Sequence, residues 1–281
     1  MKQTLCSITS NVEVMPGIHL MWIEAPDIAV AAQPGQFITV RCGDFTLRRP
    51  FSVHQSSPLV GEDSGEGEIA LLFKIAGKGT LWLSQQQRGD KVDILGPLGN
   101  GFSIPPTKSG QSKHLLLVAG GIGIAPLVFL MRYASSQHQI TLIHGTSIAA
   151  QLYPFSLASG KKRSKLSHLP NGVQFIPVTE DGSMGQKGMA TDILPDFLDW
   201  ADQVYACGPV DMYKAMTKMS WQAKRSNLKL KKCQVSLEVR MGCGFGACYG
   251  CTINTQKGLK HICCDGPVFE LDDIIWQEVR I

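Results

Sequence analysis

Of the nine cysteines in this 281-residue chain, four are spaced so that they could share one group of metal atoms: Cys243, Cys248, Cys251 and Cys263. The first three follow C-x4-C-x2-C, the spacing at which thiolates hold a [2Fe–2S] cluster with one further cysteine down the chain. Gly242, Gly244, Gly246 and Gly250 interleave them. Glycine lets backbone N–H groups approach sulfur closely and adopts positive φ without a Cβ clash. A structural zinc site would favour two short Cys-x2-Cys knuckles on opposite sides of a loop. Disulfides suit small secreted domains, whereas here the cysteine count is odd and the amino terminus lacks a basic segment followed by an apolar one. The cluster is the favoured reading, and it implies transfer of one electron at a time. Cys264 adjoins Cys263, so spacing alone leaves the fourth ligand open between the two. Cys6, Cys42 and Cys233 lie in apolar or strand-like runs and read as buried small hydrophobes.

Three other groups of residues bear chemistry. In Arg48-Arg49-Pro50-Phe51-Ser52 a guanidinium beside a rigid proline suits a diphosphate, and the nearby hydroxyl can bond a ring nitrogen. Alone it is more often just a surface turn; Lys74-Ile-Ala-Gly-Lys-Gly-Thr80, a second N–H-rich turn ahead of a helix, adds weight. Gly120, Gly121 and Gly123, followed by Pro126, sit between an apolar strand and an apolar helix, where glycines admit a pyrophosphate at the helix N-terminus. The pattern only approximates G-x-G-x-x-G. Tyr205-Ala-Cys207-Gly208-Pro209 ends another strand, which makes Cys207 a candidate nicotinamide contact, and the polar loop Thr179–Ser183 could meet a ribose.

The elements that position these residues divide the chain into three. Residues 1–105 carry short alternating runs such as Gln36–Arg41 and Ile69–Ile75 between turn residues, with Gly61–Gly67 as a solvated loop, and predict an antiparallel β-barrel or sandwich. After a Pro/Ser-rich linker, residues 106–232 alternate strand and helix: strands at 115–119, 139–144, 173–178 and 203–207, helices at 125–134 and 210–224. That order predicts a parallel α/β sheet. Residues 233–281 read as a small third domain around the cysteines. The predicted fold class is thus multidomain, β plus α/β.

Composition bounds the function. Apolar residues make up 44%, enough for sizeable cores, and 27 basic against 23 acidic side chains give +4, too mild for a nucleic-acid binder. The basic runs Lys161–Lys165 and Lys224–Lys232 lack interleaved aromatics and read as solvated loops. The apolar stretch Leu115–Met131 is broken by glycine and proline and is too short to span a bilayer. Free thiols and a cluster point to a reducing, cytoplasmic setting.

Taken together, these residues resemble the ferredoxin–NAD(P) reductase superfamily over nearly the whole chain. Within it the chain resembles the iron–sulfur electron-transfer subunit of NAD-dependent dihydroorotate dehydrogenase. Arg49–Ser52 is similar to that family's flavin motif, Gly79-Thr80 to its flavin-phosphate turn, and Gly121–Pro126 to its nicotinamide loop. The ending Ser236-Leu-Glu238, Arg240-Met241-Gly-Cys243, Cys248, Cys251 and Cys263 before Asp265–Phe269 carries the resemblance furthest. It implies FAD on the barrel, held by Arg49, Pro50, Phe51, Ser52, Leu72, Phe73, Lys74, Gly79 and Thr80. It implies NAD against Gly120, Gly121, Gly123, Cys207 and Gly208, with Cys207 and Ser52 nearest the chemistry. It also implies [2Fe–2S] held by Cys243, Cys248, Cys251 and Cys263, Cys264 being a bystander. Thr146–Ser167 departs from the family's pattern, with a basic loop where a short acidic helix is expected. The implied activity passes electrons from a reduced flavin on a separate dihydroorotate dehydrogenase catalytic subunit, through cluster and FAD, to NAD in pyrimidine biosynthesis. The implied assembly is a heterotetramer of two plus two. A flavin is required because nicotinamide exchanges electrons in pairs and the cluster singly. A reductase subunit of another redox complex and a non-catalytic zinc-binding interaction protein are the rival readings.

Overall fold

The computed structural model describes residues 1–57, 67–107, 111–155, 169–225 and 232–279, and the backbone alone over 220–225. The chain packs as two compact units, residues 1–102 with 236–269 and 273–281, and residues 103–235 with 270–272. The cysteine-rich segment packs with the barrel rather than as a separate body, and Cys233 lies in a strand counted with the α/β unit.

In the first unit, β1 (Lys2–Met15), β2 (Ile18–Glu24), β3 (Phe37–Arg41), β4 (Arg49–Ser57), β5 (Glu68–Lys74) and β6 (Lys91–Leu98) close a barrel in the order β1-β2-β5-β4-β3-β6. Closure leaves no free edge. Leu20, Met21, Ile23, Ile38, Val40, Val53, Ile69, Leu71 and Ile94 are wholly buried, each worth about 1.5–3 kcal/mol against exposure. β1 is long enough to bond β2 with one stretch and β6 with another, and a register shift between Ile8 and Ser10 bends it round the barrel.

Two short helices, α1 (Pro26–Ala31) and α2 (Lys78–Ser84), attach to the barrel. The entry of α2 is fixed by Thr80, whose hydroxyl oxygen accepts the N–H groups of Ala76 (2.8 Å) and Gly77 (3.1 Å). Its exit is fixed from β1, where the Asn11 amide donates to the carbonyls of Leu83, Ser84 and Gln86. That satisfies carbonyls a helix end leaves without partners.

The cysteine segment adds the hairpin β13 (Thr252–Thr255) and β14 (Gly258–His261). It is tied to the end of β6: Asn100 N–H donates to Gly266 O at 2.6 Å, and the Asn100 side chain donates to the carbonyls of Cys264 and Asp265.

A second sheet has the order β10-β9-β8-β7-β11-β12-β15, and its strands from β10 to β11 lie in the second unit. Its strands are β7 (His114–Gly120), β8 (Gln139–Thr146), β9 (Val173–Thr179), β10 (Gln186–Lys187), β11 (Gln203–Cys207), β12 (Lys232–Ser236) and β15 (Val268–Glu270). Strands β10 to β11 in that order run parallel. Helix α3 (Ile124–Ala134) buries nine of its eleven residues, as a helix apolar all round must. Two short helices, α4 (Ala190–Ile193) and α5 (Pro195–Leu198), precede β11, and α6 (Val210–Arg225) follows it. The chain moves from β7 to β8 and β9 on one side, then returns to place β11 on the other. β7 and β11 therefore flank the point where strand order reverses, and open α/β sheets bind ligands beyond the carboxyl ends of such strands. The loop 61–66 and the basic stretches 161–165 and 229–231 lie outside the described residues.

Candidate functional site

The cysteine loop aims backbone N–H groups at sulfur. Cys243 Sγ accepts from Ala247 N (3.2 Å) and Phe245 N (3.5 Å), Cys248 Sγ from Cys243 N (3.4 Å), and Cys263 Sγ from Gly246 N (3.1 Å). Gly244 and Gly246, at φ +83° and +89°, make the reversals this wrapping needs. A methyl on Gly246 would lie 2.7 Å from Cys264 Sγ, and one on Gly244 would lie 2.9 Å from Thr39 on β3. The thiols lie close together: Cys263 Sγ stands 3.7 Å from Cys264 Sγ and is also influenced by Cys251, and Cys243 is influenced by Cys248. Among the described residues no three Cys, His, Asp or Glu side chains close around a single ion. Thiols at C-x4-C-x2-C spacing with a fourth down the chain, under a loop that directs N–H groups at their sulfurs, are the donor set of a group with two metal atoms, so the residues fit a [2Fe–2S] cluster. Burial alone would raise the Cys243 thiol, but hydrogen bonds from the Phe245 and Ala247 N–H groups and from Cys248 outweigh it and bring it down to about 7. Burial, then the neighbouring thiols of Cys251 and Cys264, push Cys263 up. Metal coordination would remove both protons outright. The turn after it is locked by Asp265, whose carboxylate accepts His261 N–H at 2.7 Å and Lys260 Nζ at 3.2 Å.

On the barrel, the β4–β5 pairing runs from Ser57↔Glu68 to Val53↔Leu71 and stops. Beyond that point Pro50, Phe51 and Ser52 pair with β3 instead, and Leu72, Phe73 and Lys74 pair with β2. The ladder between the two strands ends there, with Leu72 and Phe73 buried and Ser52 half-buried. The rings of Phe51 and Phe73 meet at 5.6 Å. The Arg49 guanidinium lies 5.5 Å over the Phe45 ring and bonds the Leu47 carbonyl. It also crosses Gly79, where a methyl would stand 2.9 Å from Arg49 Nε. Arg49 is thus brought to the Gly79 turn, and Phe51 to Phe73 where the β4–β5 ladder ends. Thr80 is taken up by capping α2.

At the carboxyl edge of the parallel sheet, the turns after β7 and β11 are in backbone contact. A methyl on Gly123 would lie 2.1 Å from Cys207 O, and one on Gly208 would lie 3.0 Å from the Gly120 backbone. Cys207 is wholly buried beneath this contact, so its backbone and that of Gly208, rather than its thiol, reach the turn. The loop Thr179–Ser183 satisfies itself: Asp181 Oδ1 accepts from Ser183 N (2.9 Å) and Oγ (2.6 Å), bonds that hold its carboxyl below the usual range. The Ser147 hydroxyl donates to Glu180 at 2.8 Å. Cys6 and Cys42 are buried as expected, burial pushing Cys42 to about 11, while Cys233 is half-buried.

Two family models match. The iron–sulfur cluster binding domain of dihydroorotate dehydrogenase B covers residues 238–275, and the oxidoreductase NAD-binding domain covers residues 117–218. A dihydroorotate dehydrogenase B (NAD(+)) electron transfer subunit from Desulforamulus reducens is 39% identical over 281 residues, 94% of this chain and 95% of the relative. The chain belongs to that family. A second electron transfer subunit of dihydroorotate dehydrogenase B, from Caldanaerobacter subterraneus, is 37% identical over 86% of this chain and 87% of its own. Among solved structures, an NADH-dependent reduced ferredoxin-NADP oxidoreductase matches with TM-score 0.76 and 27% identity over 98% of this chain and 91% of that one. A ferredoxin NADP+ reductase from Neisseria gonorrhoeae shares the fold, with TM-score 0.58 and 18% identity over 79% and 92% of the two chains. As a member of the dihydroorotate dehydrogenase B electron transfer family, this chain is an oxidoreductase subunit. Among its described residues no helix is long and apolar enough to cross a membrane.

Sequence reasoning missed Asn11, which closes the end of α2 from β1, and His144, which bonds the Gly121 carbonyl. Neither stands in a motif, and both act across long sequence separations.

Proposed function

We propose that this chain takes electrons from the reduced flavin of a separate dihydroorotate dehydrogenase catalytic subunit and delivers them to NAD, through a [2Fe–2S] cluster and FAD. The observation that carries this reading is the N–H-lined thiol loop within a family whose members are electron transfer subunits. Bound together, the three groups convert paired electron exchange at nicotinamide into single-electron exchange at the cluster.

Cys243, Cys248, Cys251 and Cys263 hold the cluster. Cys263 rather than Cys264 is the fourth ligand, because the Gly246 N–H points at its sulfur and the side chain is buried, whereas Cys264 is exposed. Arg49 supplies paired N–H donors to the FAD diphosphate, and the bare edge of Gly79 leaves room for it. The end of the β4–β5 ladder, at Ser52 and Phe73, receives the edge of the flavin ring: Leu72, Phe73 and Lys74 offer backbone groups, Ser52 a hydroxyl near N5, and Pro50 and Phe51 set the strand. Gly120, Gly121 and Gly123 carry the dinucleotide phosphates, and Cys207-Gly208 backs the nicotinamide. By cofactor, the chain divides into a flavin region (1–105), a nicotinamide region (106–232) and a cluster region (233–281). Nine free thiols suit a reducing, cytoplasmic setting, with two such chains joined to two catalytic subunits.

The test is an anaerobic preparation from the native host. An absorption spectrum showing flavin and cluster, with co-purification of the catalytic subunit, is expected. Cys248→Ser should lose the cluster absorption yet keep flavin-dependent NADH oxidation by dyes. Zinc at these thiols, or a cluster undiminished in that variant, refutes the assignment. Likeness to the ferredoxin-NADP oxidoreductase structure supports a second reading, a different redox partner, which the same co-purification decides.

A further inference from the structure

His144 stands near the end of β8 with no accessible surface, and both of its ring nitrogens bond backbone. Nδ1 accepts the N–H of Tyr153 at 3.3 Å, so the ring proton sits on Nε2, which donates to the Gly121 carbonyl at 3.0 Å. Burial keeps the ring neutral, its pKa lowered to about 4, and the bond to Gly121 opposes that shift only in part. A histidine merely filling a core would serve equally well bonded to any strand carbonyl. This one bonds the first residue beyond β7, in the turn that faces the strand-order reversal.

Gly121 is the residue in that turn with the least to hold it. Its φ is +53°, and a methyl there would touch nothing within 4 Å. With open space where its side chain would be, Gly121 leaves the orientation of the Gly121–Ile122 peptide to the partners of its carbonyl, the Ile124 N–H and the His144 ring. The peptide is trans, the only cis bonds lying at Gly96-Pro97 and Gly266-Pro267 among the described residues. In a trans peptide the C=O and the following N–H point opposite ways. With the carbonyl drawn inward to His144, the Ile122 N–H faces outward from the turn. Glycine at positive φ makes the flipped arrangement accessible as well. The other ring nitrogen meanwhile anchors Tyr153, a buried residue in the chain that follows β8, whose ring packs on Phe155 at 4.8 Å and so fixes that segment.

We propose that His144 is a positioning residue for the dinucleotide: it holds the Gly121–Ile122 peptide so that the Ile122 N–H is presented to the phosphates, and it ties that turn to the segment beyond β8. The proposal rests on the nicotinamide reading above. It concerns binding and not the electron transfer itself.

The experiment compares the full chain, loaded with its cofactors, as wild type, His144→Leu and His144→Gln. NADH affinity is measured by equilibrium titration, alongside KM and kcat for dye reduction, flavin and iron content, and thermal midpoint. For the leucine variant, Kd and KM for NADH are expected to rise together, roughly tenfold, the loss of about one hydrogen bond's worth of positioning. kcat should fall much less, and flavin and iron should be retained. Glutamine, whose amide can donate to Gly121 and accept from Tyr153, should recover affinity to within roughly threefold of wild type. Should the leucine variant fail to fold, nitrogen NMR of labelled wild-type histidine decides: the Nε2–H signal should shift when NAD is added, and an unmoved signal overturns the proposal. A leucine variant that folds and binds NADH like wild type also overturns it, as does a glutamine variant as weak as leucine. Wild-type chain that binds no NADH would instead refute the nicotinamide reading on which it stands.

Discussion

Gly123→Ala isolates the contact between the two turns at the nicotinamide edge. Gly123 has φ −60° and ψ −7°, angles any residue adopts, so alanine pays no backbone penalty there. Space is the whole cost. The new methyl would stand 2.1 Å from Cys207 O, 2.4 Å from its carbonyl carbon and 2.7 Å from Gly208 N. All three are backbone atoms of a strand hydrogen-bonded to β7, and no side chain can swing aside. The turns must part by close to an ångström to reach the 3.0 Å that real contacts observe. Overpacking of this kind costs about 3 kcal/mol, the upper end of the usual range because backbone has to move. For a unit of this size that lowers the melting midpoint by about 10 °C. NADH affinity should fall at least tenfold (on the order of 1.4 kcal/mol), while flavin and cluster spectra should persist, since the residues proposed to hold those groups lie in the other unit. Differential scanning calorimetry and NADH titration measure both effects. Gly121→Ala is the control: it meets nothing but carries φ +53°, so it should cost about 1 kcal/mol. A Gly123→Ala chain that melts and binds NADH as wild type does, or that merely matches Gly121→Ala, refutes the reasoning.

Further outcomes follow from the barrel and the buried rings. Arg49→Met should release FAD on desalting, with dissociation weakened roughly tenfold to a hundredfold for loss of charge-assisted bonds, while iron content holds; undiminished flavin retention counts against the diphosphate role. Asn11→Ala removes a donor from three carbonyls at the end of α2, those of Leu83, Ser84 and Gln86, and should cost about 1–2 kcal/mol in urea unfolding; an unchanged midpoint denies that Asn11 closes the helix. His144 is neutral when folded, with its pKa near 4 against 6.5 unfolded. A depressed folded pKa leaves its stability intact above 6.5 and removes it as pH falls from 6.5 towards 4, by about 3 kcal/mol in all. His19 and His138, also lowered chiefly by burial, add to the same slope. His144→Leu should flatten the stability–pH curve in that window, and a wild-type curve already flat there contradicts it.

What the sequence disclosed was local. The cysteine spacing, the strand–glycine–helix junction at Gly120–Gly123 and the Arg49–Ser52 run each need only neighbouring residues to be recognised, and strand β11 falls at the expected 203–207. The alternation of strand and helix likewise gave the parallel sheet, because burial on both faces writes itself into apolar runs such as Leu115–Ala119. Long-range pairing was not legible. Nothing near Asn11 says that it closes a helix more than seventy residues on, and nothing in Cys207 distinguishes a thiol facing a ligand from one buried beneath a glycine contact. The end of the β4–β5 ladder at Val53 was hidden for the same reason, since Phe51 and Ser52 look strand-like whichever neighbour they bond. The packing of residues 236–269 with the barrel rests on Gly99, Asn100 and Gly266, none of which carries a signal beyond a turn.

That packing sets an order of assembly. One compact unit is built from the first hundred residues and the last forty-odd, with the whole α/β unit threaded between them. As the ribosome delivers the chain, the barrel emerges with its partner segment still unmade, whereas the α/β unit follows as an almost uninterrupted stretch that needs little from elsewhere. Asn100 must wait for Gly266, and Thr39 for Gly244. The thiol loop is thus the last part of its unit to be made, and a chain cut short before residue 236 loses it while the nucleotide unit stays nearly whole.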